Sequence, residues 1–219
     1  LDSKFGINSI AIFNPLNKSV IQKKSKEKFK FKFYKDNNIK LITVGRLEDQ
    51  KDQQTLLKAI NLIKFKNIQL LIIGDGSKKK KLNDYIIKKK LSSLVKIISY
   101  KSNPYKYIKK ANIFLLTSKF EGLPNVLLET QVLKKYIIST NCPTGPREIL
   151  MNGKAGDLVK IGDYKSISKK ILDYSTRNNK FKNELKRKIN IGYKNLNRFD
   201  YDLNMKKYYN LVKKHYKNG

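Results

Sequence analysis

The sequence predicts a doubly wound α/β domain: a mostly parallel sheet with helices on both faces, followed by C-terminal helices. Three observations carry this. Short β-branched runs alternate with longer helical patterns about five times. The runs are apolar at successive positions, as strands covered on both faces must be. The 219 residues are enough to bury a sizeable core, and 40% hydrophobic content argues against a disordered chain in spite of its charge.

Residues 40–44 read as the first strand, and residues 52–65 as a helix whose Leu56, Leu57, Ile60 and Ile63 share one face. The second strand spans 69–73, before a helix over 78–91 with Leu82, Tyr85, Ile86 and Ile87 as its buried stripe. A third strand at 95–98 leads to a short helix near 104–110, and a fourth at 113–116 to a helix over 124–133. The fifth strand is 136–139, with a helix starting near Gly145. Residues 23–35 are lysine-dense and read as a surface linker or hairpin. After Tyr164 come three helical patterns; the last, 204–215, carries Met205, Tyr208, Tyr209, Leu211 and Val212 on an amphipathic tail. The chain opens on Leu1 with no signal-peptide pattern and reads as a piece of a longer protein.

Composition excludes several chemistries. Cys142 is the one cysteine, so an internal disulfide framework and a cysteine metal cluster are both ruled out. His215 is the one histidine, which excludes a poly-histidine metal site, and it reads as a solvent-facing tail residue. No apolar run approaches the roughly 20 residues of a membrane span; the expected location is the cytoplasm, and the resemblance described below adds peripheral docking on the inner face of the membrane as an option. The net charge is +32, from 49 Lys and Arg against 17 Asp and Glu. Only five of those cations are Arg (Arg46, Arg147, Arg177, Arg187 and Arg198), whereas base-reading sites lean on Arg. The lysines run along the whole chain beside many Asn, Ile and Tyr. That pattern describes a generic basic surface first, attraction to an anionic membrane second, and no specific nucleic-acid partner.

Ligands of doubly wound folds bind in the loops at the carboxyl ends of the strands. The first strand runs into Gly45 and Arg46, with Lys51 five residues on: a planar fork, a point charge and a helix start, suited to a diphosphate. A solvated loop is the alternative reading. The second strand ends at Gly74 and Gly76, a partial dinucleotide fingerprint that fits a tight turn with the backbone near a ligand. The fourth exits through Glu121, Gly122, Leu123, Pro124, Asn125 and Val126 to Glu129. Pro124 is tolerated only in the first turn of a helix, so Glu121 sits in the loop and the free N–H groups of residues 122–126 face the same cleft. Glu129, more than one turn into the helix, can accept from two vicinal hydroxyls. After the fifth strand, Arg147 and Glu148 either serve the site or pair locally, and Cys142 reads as a small packing residue.

At these loops the sequence resembles the family 4 retaining glycosyltransferases, whose GT-B architecture sets two Rossmann-like domains face to face. The likeness begins at Phe13, Asn14 and Pro15 and ends near Phe199, Asp200 and the final helix. Gly45 and Arg46 with Lys51 look like the family's diphosphate-binding pair, and Glu121 with Glu129 like its E-x7-E motif, one carboxylate by the donor sugar and the other by the ribose. Residues 122–125 match the segment whose backbone faces the sugar, and 145–150 with Asn152 and Gly153 are similar to the branch that builds surface and lipid-linked glycans.

The resemblance implies residues 1–36 as interdomain segment and basic linker, 37–175 as the nucleotide-sugar-binding domain, and 176–219 as helices packing back toward a missing N-terminal domain. It implies a UDP-sugar donor, a glycan or lipid-linked acceptor, and no metal or other cofactor. Arg46, Lys51 and Glu121 would be catalytic, and this half alone inactive. The alternatives are another GT-B enzyme, such as a sucrose- or starch-type synthase or an epimerase relative, and a non-catalytic basic module for RNA or an anionic polymer.

Overall fold

The structure is a computed structural model that describes residues 10, 12–176 and 178–216, the last two without their side chains. The expectations for residues 1–9 and for the His215 side chain lie outside the described residues.

The chain runs α1 (Lys18–Ser25), β1 (Ile39–Val44), α2 (Gln53–Leu62), β2 (Ile68–Ile73), α3 (Lys79–Lys88), β3 (Val95–Ile98), α4 (Tyr105–Lys110), β4 (Ile113–Leu116), α5 (Asn125–Val132), β5 (Tyr136–Thr140), α6 (Pro146–Ile149), a 3₁₀ turn (Met151–Gly153), β6 (Asp157–Val159), α7 (Tyr164–Thr176), α8 (Asn179–Asn195), a second 3₁₀ turn (Leu196–Phe199) and α9 (Tyr201–Tyr216). The sheet is parallel throughout in the order β3-β2-β1-β4-β5-β6. Winding starts at β1, moves outward to β3, then returns to lay β4 on the other side of β1. The loops leaving β1 and β4 therefore lie side by side at the switch point, where such sheets bind their ligands.

Successive strand residues point to opposite faces, and both faces are covered. Leu41, Leu70, Ile72, Ile113 and Leu115 pack beneath Leu56, Leu57 and Ile60 of α2, Leu82 of α3 and Ile171 of α7. Ile42, Leu71, Phe114 and Leu116 pack beneath Ile21 of α1, Ile108 of α4 and Leu127 and Leu128 of α5. Continuous apolar strands are thus explained by two buried faces rather than one.

Three elements depart from the sequence reading. Residues 23–35 form no hairpin: they comprise the end of α1 and a connection to β1 whose lysines are exposed, as expected of a surface linker, but whose phenylalanines make it an aromatic strap. Alternation with lysine puts Phe29, Phe31 and Phe33 on the side facing the core, and the rings of Phe29 and Phe31 lie 4.6 and 5.2 Å from that of Tyr107. Gln69 ties the strap to β2, accepting from the Lys35 N–H at 2.6 Å and donating to the Phe33 carbonyl at 2.8 Å. Second, a sixth strand, β6, follows the five expected. Third, Ile87, expected in the buried stripe of α3, is exposed, since α3 turns Leu82 and Ile86 to the core; the helix expected to start near Gly145 does so, and lasts four residues before Met151 and Asn152 take left-handed φ values of 50° and 54°. Cys142 is buried, as expected of a packing residue. Most apolar side chains of α9 are exposed, namely Leu203, Met205, Tyr208, Tyr209 and Val212, while Leu211 is half-buried and Asn204 is its one buried residue among those described. Among the described residues no helix is long and apolar enough to cross a membrane.

Candidate functional site

The loop from β1 to α2 is shaped by the loop after β2. A Cβ at Gly74 would lie 2.0 Å from the Gly45 carbonyl oxygen, and one at Gly76 would lie 2.5 Å from that of Leu47. These glycines let the two backbones touch, which is a packing role for both. Glu48 completes the clasp, with one carboxylate oxygen accepting from the Ser77 N–H and the other from its hydroxyl, at 2.8 and 2.6 Å. Those hydrogen bonds from Ser77 hold the Glu48 carboxyl below its usual range. Asp52 takes a left-handed φ of 44° and caps α2 by accepting from the Thr55 N–H. Between these anchors the Arg46 guanidinium is exposed, donating to Gln50 at 3.2 Å, while Gln53 holds the Arg46 carbonyl at 2.8 Å.

The β4 loop meets this one across the switch point. The Lys51 ammonium donates to Glu121 Oε1 at 2.5 Å, and the Ser118 hydroxyl donates to the same oxygen at 2.6 Å. The two charged side chains are 16% and 6% exposed. Backbone contacts fix the meeting: the Thr117 hydroxyl donates to the Lys51 carbonyl, the Lys119 N–H to the Gln50 carbonyl, and the Gln50 amide to the Phe120 carbonyl, at 2.8–3.0 Å. Beneath, Thr140 Oγ1 and Cys142 Sγ both donate to the Ser118 carbonyl.

Gly122 is open: a Cβ there would meet nothing within 4 Å. Its own carbonyl is pressed by Gly145, where a Cβ would lie 2.0 Å from that oxygen and φ is 79°, so no side chain fits there. Leu123 and Val126 pack partly against the core. The first backbone bond of α5 runs from the Leu127 N–H to the Pro124 carbonyl, so the N–H groups of Gly122, Leu123, Asn125 and Val126 precede the helical ladder. Asn125 accepts from the Asn14 amide at 3.3 Å. One turn further, Glu129 accepts from the Tyr105 hydroxyl at 3.2 Å. Burial pushes the Glu129 carboxyl up, against the opposing pull of that hydrogen bond. Burial, followed by the neighbouring Glu129, pushes the Tyr105 phenol up to about 12, so it stays a donor at neutral pH.

The structure thus brings Arg46, Lys51 and Glu121 onto the two loops that meet at the switch point, with Gly122 open beside them and Glu129 on the helix that follows. Gly74 backs Gly45, and Gly76 backs Leu47. Arg147 and Glu148 pair locally, with Asn141 and Arg198 respectively. Sequence reasoning missed Tyr105, Ser118 and Gln50. Ser118 sits in the loop that leaves β4, but the position of Tyr105 opposite Glu129 depends on how α4 lies beside α5. Among the described residues no cluster of three or more His, Cys, Asp or Glu side chains could hold a metal ion.

A parallel sheet that reverses its winding at β1 and β4, with opposed charges on the two loops leaving them, defines a doubly wound α/β protein with its crevice at the switch point. Residues 24–193 match the model of the glycosyl transferases group 1, and the chain belongs to that family. It is similar to an uncharacterized glycosyltransferase of Methanocaldococcus jannaschii, 41% identical over 119 residues, covering 53% of this chain and 29% of the relative. It is 32% identical over 127 residues to the N-acetylgalactosamine-N,N'-diacetylbacillosaminyl-diphospho-undecaprenol 4-alpha-N-acetylgalactosaminyltransferase of Campylobacter jejuni (58% and 34% covered). Against a lipopolysaccharide 1,6-galactosyltransferase of Escherichia coli the identity is 33% over 128 residues (56% and 35% covered). A point mutant of Staphylococcus aureus TarM, solved with fondaparinux, alpha-GlcNAc-glycerol and UDP, superposes with a TM-score of 0.75 at 19% identity, covering 95% of this chain and 40% of TarM. The fold is that of one half of a GT-B glycosyltransferase. The chain spans about a third of the length of the curated relatives it matches.

Proposed function

We propose that this chain is the donor-binding half of a family 4 retaining glycosyltransferase, which moves a hexose or N-acetylhexosamine from a UDP-sugar to a glycan or lipid-linked acceptor in surface polysaccharide or lipopolysaccharide synthesis. The observation that carries the reading is the Lys51–Glu121 pair at the switch point, with the exposed Arg46 guanidinium on one side and open Gly122 on the other. The names of relatives support it: one acts on a diphospho-undecaprenol-linked sugar and another on lipopolysaccharide, and the TarM structure holds UDP.

In this reading Arg46 and Lys51 bind the donor diphosphate and, with the N–H groups ahead of α5, stabilise the charge that grows on the departing UDP. That electrostatic assistance needs no metal. Glu121, by accepting from Lys51, fixes the ammonium at the crevice and stands beside the donor sugar. Glu129, held on one oxygen by Tyr105, accepts from the ribose hydroxyls. Attack by the acceptor on the face the UDP leaves would retain configuration, and a double displacement is the alternative route to the same outcome. The acceptor domain lies in a part of the protein outside this chain, which is inactive alone, and that domain covers the exposed apolar side of α9. The basic surface suits docking on the anionic cytoplasmic leaflet.

Calorimetric titration of the chain with UDP, GDP and ADP at about 0.15 M salt tests the reading. Saturable binding with UDP preferred is the expected result. A folded chain that binds none of the three, or that binds RNA with steep salt dependence instead, overturns it.

A further inference from the structure

Beyond the crevice, a cavity of about 520 Å³ opens on the other side of the β5–α6 loop, with Arg147, Lys154, Arg198 and Asn195 among its lining residues. Three cations face one carboxylate, Glu148. Lysine is everywhere in this chain, so a lysine here decides nothing; arginine is scarce, and two of the five line this one cavity.

The hydrogen bonding is incomplete in the sense that favours an anion. Arg198 donates through Nη2 to the Glu148 carbonyl at 2.9 Å, and its Nη1 lies 3.3 Å from the Glu148 carboxylate. Its guanidinium also lies over the rings of Phe13 and Phe199, 5.4 and 4.7 Å from their centroids. These contacts fix the fork, while its Nε–H and the Asn195 amide nitrogen, both buried, have no hydrogen-bond partner among the described residues. Arg147 is engaged through Nε by Asn141 at 3.0 Å. Arg147 of α6, Lys154 just after the first 3₁₀ turn, Asn195 at the end of α8 and Arg198 of the second 3₁₀ turn all line the cavity. Such a set suits the several oxygens of a tetrahedral phosphate better than a carboxylate.

The cavity shares a wall with the candidate donor crevice. Thr144 and Gly145 line it, while the Thr144 hydroxyl donates to the Glu121 carbonyl and Gly145 abuts the Gly122 carbonyl. The geometry points to a second anion site, one that takes a phosphate ester or diphosphate carried by the acceptor and sets it beside the donor sugar. The acceptor assignment rests on the proposed function; the anion site itself does not.

The test uses inorganic phosphate, inorganic diphosphate and geranyl diphosphate as probes, titrated at constant ionic strength in saturating UDP and again with the Arg46→Ala variant. The variant to compare is Arg147→Gln with Lys154→Gln; Arg198 is left alone because its ring contacts serve the fold. Lys180→Ala with Lys182→Ala removes the same charge from exposed positions about 22 Å away along α8. Saturable binding that the first pair weakens about tenfold or more, equivalent to about 1.4 kcal/mol, and the second pair leaves unchanged, is the expected result. Geranyl diphosphate binding tighter than inorganic diphosphate assigns the anion to a lipid carrier; equal binding assigns it to the phosphate group alone. No saturable binding, equal weakening by both pairs, or displacement of UDP by the probes overturns the proposal. A chain that fails to bind UDP but keeps the Arg147- and Lys154-dependent anion site would overturn the donor reading and leave this one standing.

Discussion

Removing the Lys51 ammonium would strand the Glu121 carboxylate, whose side chain is 6% exposed, with the Ser118 hydroxyl as its remaining side-chain donor. Lys51→Met is therefore expected to destabilise the chain by about 3–5 kcal/mol, and pairing it with Glu121→Leu to recover much of that loss. Thermal unfolding of the single and double variants checks this; a double variant as unstable as the sum of the singles would contradict it. Arg46→Ala, at an exposed guanidinium, should change stability by less than about 0.5 kcal/mol. Glu129 supplies a pH signature. Burial raises its carboxyl in the folded state, so the folded chain holds that proton more tightly than the unfolded one. Its contribution to stability therefore falls as pH rises from the ordinary carboxylate value through the raised one. Glu129→Gln should raise the melting temperature at pH 7, with the gain vanishing below about pH 4, where the carboxyl is protonated in both states. The spacing of Glu121 and Glu129 is legible in the sequence because Pro124 marks the helix start between them. Tyr105 is not, since nothing local to a tyrosine after a proline says that a carboxylate from another helix lies opposite.

Among the elements, β6 shows where periodicity stops informing. Asp157, Leu158 and Val159 carry no β-branched run, and a buried Asp argues against a strand. It survives because Asp157 accepts from Tyr136 at 2.7 Å, pairs with Lys170 at 2.8 Å and is also bonded by Lys188. Those hydrogen bonds outweigh burial, which alone would raise its carboxyl, and leave it below the usual range. The same interactions staple the sheet edge to α7 and α8. Asp157→Asn should lower the melting temperature at neutral pH. A depressed carboxyl contributes stability above its unfolded value and loses it as pH falls through its folded one, so the gap from wild type should close below about pH 4. A gap independent of pH would assign the loss to packing. The aromatic strap escapes sequence reading for a related reason: alternate lysines advertise a surface, while the intervening phenylalanines pack onto a core contributed by β2 and α4, distant in sequence.

At the scale of the molecule, five of the six strands and the helices between them can be read from apolar runs and breaks. The strand order cannot, because it depends on which runs become neighbours. That order puts the β1 and β4 loops side by side and so joins Lys51 to Glu121 across 70 residues. The net charge of +32 surrounds this crevice with a field that attracts any anion, so diphosphate affinity alone is a weak discriminator and site-specific loss is the useful one. The most direct measurement is a calorimetric comparison of UDP with uridine at about 0.15 M salt, on the wild-type chain, Arg46→Ala and Glu129→Ala. A diphosphate held by Arg46 and a ribose held by Glu129 predict that Arg46→Ala weakens UDP about tenfold or more without changing uridine, while Glu129→Ala weakens both. Equal affinities across all three proteins would contradict the donor site.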